Sequence, residues 1–160
     1  MRLTVIAVGR LKSGPERDLV ERYSERFTDM ARKLGFRGLE VIELAESRAR
    51  DPATRMADEA AAIMALIPDD AVTIALDERG KPVDSESFAK RLGQWRDESM
   101  SNVVFVIGGA DGLSPELRRK MKAVFAFGAA TWPHQLARIM LMEQIYRAAT
   151  ILAGHPYHRA

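Results

Sequence analysis

The chain has 160 residues, with 24 Lys and Arg against 22 Asp and Glu, three histidines, no cysteine, 47% hydrophobic and 29% charged residues. These proportions fit one soluble globular domain and exclude collagen-like, coiled-coil and intrinsically disordered chains. The lack of cysteine removes disulfides, thiolate nucleophiles and cysteine metal sites. No apolar run approaches the roughly 20 residues of a membrane span, and the opening MRLTVIAVGR reads as a strand rather than a secretory signal, so a cytoplasmic protein without membrane contact is expected.

Along the chain, apolar runs alternate with amphipathic periods. Leu3–Val8 is a short apolar run ending at Gly9, as a buried strand does. Leu19, Tyr23, Phe27, Met30 and Leu34 recur at steps of 4, 4, 3 and 4 and predict a helix stopped by Gly35. Leu39–Leu44 is a second strand. Asp51-Pro52 supplies a cap and a first-turn proline for a helix whose face carries Met56, Ala60, Ile63, Met64 and Ile67. Ala71–Leu76 is a third strand, followed by a polar turn at Asp77-Glu78-Arg79-Gly80. Phe88, Leu92 and Trp95 mark a helix opened by Asp84 or Ser85.

Asn102–Ile107 is the most apolar strand candidate and enters Gly108-Gly109-Ala110-Asp111-Gly112. Ser114-Pro115 starts another helix, and Ala123–Phe127 is a fifth strand. The last helix, about Gln135–Ala153, is apolar nearly all round, which predicts burial on several sides, a subunit interface being one natural cover. Five alternations imply an α/β domain spanning residues 1–160, with a mainly parallel sheet and helices on both faces. Ligands in such sheets sit beyond the carboxyl ends of strands, which directs attention to the loops after Leu76, Ile107 and Phe127.

Charge is divided unevenly. From Leu117 onward seven bases (Arg118, Arg119, Lys120, Lys122, Arg138, Arg147 and Arg159) stand against the single acid Glu143, leaving the first 116 residues net acidic. This polarity suits a polyanion such as RNA, while Arg118–Lys122 taken alone reads first as a solvated helix face. Glycines 108, 109 and 112 permit close backbone approach of a ligand, although their spacing is neither a dinucleotide fingerprint nor a phosphate loop, and a structural turn reads the same way. Phe127–Trp132 is small and uncharged, fit to enclose a flat base through backbone hydrogen bonds. Two such loops together favour a nucleoside-containing ligand.

The tail sets a ring, an imidazole and a fixed cation side by side at Tyr157, His158 and Arg159, after the stiffening Pro156. Aromatic plus arginine is the pairing that holds an unstacked base and its phosphate, whereas a terminus by default frays. His134 reads as a loop histidine, Glu143 and Arg147 as an i,i+4 ion pair, and the histidines lack the spacing of a metal site.

Taken in order, Leu3-Thr4-Val5-Ile6-Ala7-Val8-Gly9, Leu76-Asp77 with Gly80-Lys81, and Ile107-Gly108-Gly109 with Gly112-Leu113-Ser114 carry a resemblance that continues through Pro133-His134, Tyr146-Arg147-Ala148 and His155-Pro156-Tyr157-His158-Arg159. The sequence resembles the RlmH family, the large-subunit ribosomal RNA pseudouridine N3-methyltransferases of the SPOUT class, over essentially its whole length. The resemblance implies a C-terminal trefoil knot and a homodimer with the active site at its interface. It also implies S-adenosylmethionine as methyl donor and, as substrate, a pseudouridine of 23S rRNA in the assembled ribosome. Carried over by position, the cofactor contacts are Leu76, Gly108, Phe127, Gly128, Ala129, Ala130, Thr131 and Trp132, with no metal. The catalytic candidates are Tyr157 for stacking, His158 as donor or proton acceptor and Arg159 for charge, with His155 and Arg147 behind them. Two rival functions are a SPOUT-type methyltransferase of tRNA or another rRNA base, and a non-catalytic ribosome-binding factor.

Overall fold

In the computed structural model, which describes residues 1–159, β1 (Arg2–Val8) leads through α1 (Pro15–Ala31) and a turn of 3-10 helix at Arg32–Leu34 to β2 (Gly38–Leu44). The chain continues as α2 (Pro52–Met64), β3 (Val72–Pro82), α3 (Ser85–Asp97), β4 (Asn102–Ile107), α4 (Pro115–Lys120), β5 (Ala123–Ala126) and α5 (His134–Leu152). The strands form one sheet in the order β2-β1-β4-β3-β5, and every neighbouring pair is parallel. This is the α/β architecture that the alternation of apolar runs predicts.

Period-two alternation divides the core between two faces. Leu3, Val5 and Ala7 of β1 and Val103, Phe105 and Ile107 of β4 pack with α1, α3 and α5. Ile6, Val8, Val104 and Val106 pack on the other face with Ile63 of α2 and Leu117 of α4. Complete burial of each such aliphatic or phenyl group is worth about 1.5–3 kcal/mol, so the central strands β1 and β4 anchor the sheet. Three helix starts follow the caps legible in the chain: Asp51 accepts from the Thr54 N–H at 2.8 Å, Asp84 from Ser87 at 2.8 Å and Ser114 from Leu117 at 3.1 Å.

Two expectations change. The polar run Asp77–Gly80 is not a free turn, because β3 continues to Pro82; Leu76 and Lys81 both pair with Phe125, and the residues between them bulge from the ladder. Two local causes are visible. The Arg79 N–H donates to the Asp77 carboxylate at 2.9 Å, and Gly80 lies so close to β5 that an added Cβ would sit 2.6 Å from the Phe125 carbonyl carbon. His134 belongs to α5 rather than to the loop before it, with Pro133 as its cap residue. Burial of α5 is achieved largely within this one chain, where it packs against both α1 and α3 over the sheet. Among the described residues no helix is long and apolar enough to cross a membrane.

Candidate functional site

The carboxyl ends of β3, β4 and β5 open into one cavity of about 560 Å³, within the range of small-ligand sites. Its walls are Leu76–Arg79, Ile107–Leu113, Phe125–Gly128, Ala130–His134 and Ala137. In a sheet of this order the general rule directs attention to the crevice between β1 and β4, where strand order reverses. Here the start of α5 fills the β1 end of that crevice. Arg138, wholly buried, donates to the Gly9 carbonyl at 2.7 Å, and the His134 imidazole packs 3.3 Å from where a Cβ on Gly9 would stand. The cavity is displaced accordingly to the β3–β5 side. To bring Arg138 there, the segment 127–133 crosses from the edge strand β5 to the end of β1, the strand next to the opposite edge.

Glycine and alanine supply part of the cavity wall, at Gly108, Gly109, Gly112 and Gly128 and at Ala110, Ala126, Ala130 and Ala137. A Cβ on Gly108 would meet the Gly112 carbonyl carbon at 2.7 Å and the Leu113 nitrogen at 3.0 Å, so only glycine lets this loop fold so tightly. The loop is held from outside by Arg55 of α2, whose Nε and Nη2 meet the Asp111 carboxylate at 2.6 and 3.0 Å. That bidentate pairing holds the Asp111 carboxyl below its ordinary range and raises the Arg55 guanidinium. Arg55 Nη1 also donates to the Ala49 and Arg50 carbonyls, joining the loop after β2 to the cavity wall. Across the cavity, the Thr131 hydroxyl bonds the Glu78 carboxylate, and the indole N–H of Trp132 donates to the Phe127 carbonyl at 3.1 Å. These bonds shape the 127–133 segment while Trp132 stays 43% exposed.

Of the positions expected to touch the cofactor, Leu76, Gly108, Phe127, Gly128, Ala130, Thr131 and Trp132 surround this cavity. Ala129 does not line it and is exposed, although both its neighbours do. Arg55 and Asp111 lie 56 positions apart, and nothing in short-range spacing marks their pairing.

The tail is elsewhere. Tyr157, His158, Arg159, His155 and Arg147 are all absent from the cavity wall. From Ala137 at the cavity to Arg147 is ten residues of α5, about 15 Å of helix rise. Rather than fray, residues 155–158 turn back onto the end of α5. The Tyr157 hydroxyl donates to Glu143 at 3.0 Å, and its ring packs 4.8 Å from that of Tyr146 and 4.9 Å from the Arg147 guanidinium. The same Glu143 oxygen accepts from Arg147 Nε at 2.9 Å and Nη2 at 2.5 Å. Burial, then the Glu143 carboxylate, pushes the Tyr157 phenol far above its ordinary value, while Glu143 raises Arg147. His158 lies 3.4 Å from Arg147 and 3.7 Å from Glu86 of α3. His155 accepts the Tyr157 N–H at 3.2 Å, and Arg159 is exposed. Tyr157, expected as an open stacking surface, is thus half-buried against Tyr146 and Arg147. Glu143 joins three donors at one oxygen, a role beyond a simple helix ion pair.

The basic C-terminal segment is largely neutralised. Arg118 pairs with Asp77, Arg119 with Glu116, Arg138 with Glu43 and Arg147 with Glu143. Among the described residues no group of three or more His, Asp or Glu side chains is arranged to hold a metal ion.

The family model described as "Predicted SPOUT methyltransferase" matches residues 1–158. The chain is 72% and 71% identical over 160 residues to proteins named Ribosomal RNA large subunit methyltransferase H from Rhodopseudomonas palustris strains HaA2 and BisB5, with all of both chains covered. A solved structure, the SpoU methyltransferase AviRb of Streptomyces viridochromogenes in complex with AdoMet, aligns at TM-score 0.41 and 16% identity over 90% of this chain and 56% of that one. By the full-length match of sequence and family model, the chain belongs to the SPOUT methyltransferase family.

Proposed function

We propose that this protein transfers a methyl group from S-adenosylmethionine to N3 of a pseudouridine in large-subunit ribosomal RNA, in the assembled ribosome and in the cytoplasm, as a homodimer. The names of its full-length relatives support an rRNA of the large subunit as substrate. A cavity between two glycine-bearing loops fits the cofactor, because small residues there let peptide N–H and C=O groups reach an adenine edge. When bound there, S-adenosylmethionine supplies a methyl group already activated as an electrophile.

The chain's own residues then position the acceptor and manage its proton. As the N3 proton leaves, negative charge grows on the pyrimidine ring, and a cation or donor near the ring oxygens is worth roughly 2–4 kcal/mol by analogy with oxyanion sites. Arg159 supplies that charge or holds a phosphate, His158 donates or accepts the proton, and Tyr157 orders the tail around Glu143 and Arg147. The observation that carries the reading is the separation of tail and cavity along α5. One chain does not bring them together, and in a two-fold dimer the tail of one protomer completes the cavity of the other. Leu136 and Trp132, 42% and 43% exposed beside the cavity, are the apolar groups such a contact covers. The 127–133 crossing is where the knot implied by the class lies.

The test is transfer of labelled methyl to ribosomes lacking the modification, with free 23S rRNA in parallel. Label is expected at a pseudouridine of the ribosome. Deleting residues 155–160 is expected to abolish transfer with cofactor affinity kept within a few fold. Equal loss of cofactor binding refutes the division of labour, and label on tRNA alone refutes the substrate.

A further inference from the structure

The cations free to meet a polyanion beside the cavity come from the net-acidic half of the chain. Arg10 and Lys12 project from the loop after β1, and Arg48 and Arg50 from the loop after β2. All four are exposed, and among the described residues none has a carboxylate within 4 Å. Their loops adjoin the cavity. Arg50's carbonyl accepts from Arg55, which clamps Asp111 of the cavity wall, and Gly9 packs against His134 of the same wall.

Nearby acids are engaged by hydrogen bonds or ion pairs. Glu43 accepts the Leu11 N–H at 2.9 Å and pairs with Arg17 and Arg138. Glu59 accepts the Ser47 N–H at 3.0 Å, Asp58 accepts the Ser47 hydroxyl at 2.8 Å, and Asp51 caps α2 through Thr54. These carboxylates fasten the two loops, the start of α2 and Arg138, while the four loop cations stay exposed. Glu46 remains as an exposed acid in the second loop, and Glu16 and Asp18 begin α1. By contrast, the α4 segment singled out by sequence charge has Arg118 and Arg119 paired, leaving Lys120 and Lys122.

We infer that Arg10, Lys12, Arg48 and Arg50 form a phosphate-binding strip at the β1–β2 side of the cavity mouth, along which the RNA backbone of the substrate lies. The inference rests on the proposed RNA substrate and places that substrate's approach. Cations that contact phosphates position an RNA strand without reading its bases.

The experiment measures binding of assembled ribosomes lacking the modification, and of free rRNA, from 50 to 200 mM salt. Each phosphate contact contributes about 0.7–0.9 to the slope of log K against log salt, so Arg10→Ala/Lys12→Ala/Arg48→Ala/Arg50→Ala is expected to flatten it by about 3. At 50 mM salt, affinity should fall roughly 100-fold or more, with S-adenosylmethionine affinity retained. Each single replacement should take its own share, so a poorly folded quadruple variant leaves the matter decided by the singles. Arg119→Ala/Lys120→Ala/Lys122→Ala should leave the slope within about 1 of the parent. An unchanged slope in the strip variants, or the larger loss in the α4 variant, overturns the strip. A parent protein that binds with the steep slope but methylates no rRNA refutes the proposed reaction and leaves the strip standing.

Discussion

Two glycines with similar overlaps are expected to respond oppositely to alanine. At Gly80 the new Cβ would sit 2.6 Å from the Phe125 carbonyl carbon, 2.7 Å from the Val124 oxygen and 2.8 Å from the Phe125 oxygen, all backbone of β5. Relief requires β5 to withdraw by about 0.8 Å, a displacement that weakens contacts along the ladder. Overpacking costs about 1–3 kcal/mol and a strained ladder hydrogen bond about 1 more, giving about 2–4 kcal/mol in all. For a domain of this size that lowers the melting temperature by roughly 5–12 °C. At Gly93 the Cβ would meet Leu152 Cδ2 at 2.9 Å, the tip of a half-buried side chain that can rotate away. Alanine inside α3 also gains about 1 kcal/mol of helix propensity, so Gly93→Ala should be neutral or mildly stabilising. Urea unfolding followed by far-ultraviolet circular dichroism compares the midpoints, and labelled-cofactor binding should weaken for Gly80→Ala alone. Equal midpoints for the two variants, or a Gly80→Ala protein as stable as the parent, refute the steric reasoning.

Glu143→Gln removes the charge shared by Arg147 and Tyr157, and methyl transfer should fall about tenfold or more at nearly unchanged cofactor affinity. An ultraviolet titration of the same variant should find Tyr157 shifted back toward its ordinary value of 10.0. Because the folded phenol is raised, its bond to Glu143 contributes stability below that value and loses it as pH climbs beyond, a loss that Tyr157→Phe should abolish. Asp51 and Asp84 are lowered from 3.8, chiefly by the backbone N–H groups of Thr54 and Ser87. Their capping is therefore complete above about pH 4 and fades as pH falls through the lowered values; Asp51→Asn/Asp84→Asn should flatten the acid limb of urea midpoints. Arg55→Lys and Asp111→Asn should each weaken cofactor binding several-fold by loosening the Gly108–Gly112 loop, and the double variant should be no worse than the single ones in a binding cycle.

What the chain reveals depends on how far apart the interacting parts lie. The buried strands at Leu3–Val8 and Asn102–Ile107, and the caps Asp51, Asp84 and Ser114, are local patterns, and they fold as read. The continuation of β3 past Leu76 is hidden because its bulge answers to β5, more than 40 residues later. The same holds for charge. A basic C-terminal third is obvious by counting, yet Arg118 and Arg138 are consumed by Asp77 and Glu43 from the acidic part. In α5 the continuous apolar surface correctly signals burial, but it gives no hint that α1, α3 and the sheet supply most of the cover. The lone buried arginine within that surface is the one signal of the Gly9 contact. The tail stands out by composition alone, whereas its anchoring on Glu143 requires the helix and the turn at Gly154 together.

The contact between Arg138 and the Gly9 carbonyl joins positions 129 residues apart. In synthesis β1 precedes the groups that close its end. A chain interrupted before α5 has the central strands but lacks His134 and Ala137 of the cavity wall and the Arg138 contact that seats them. Closing this side of the pocket therefore waits on a contact between parts of the chain far apart in sequence. Long-range closure of this kind is slow relative to local helix formation, so the appearance of cofactor binding should trail the appearance of helicity in refolding.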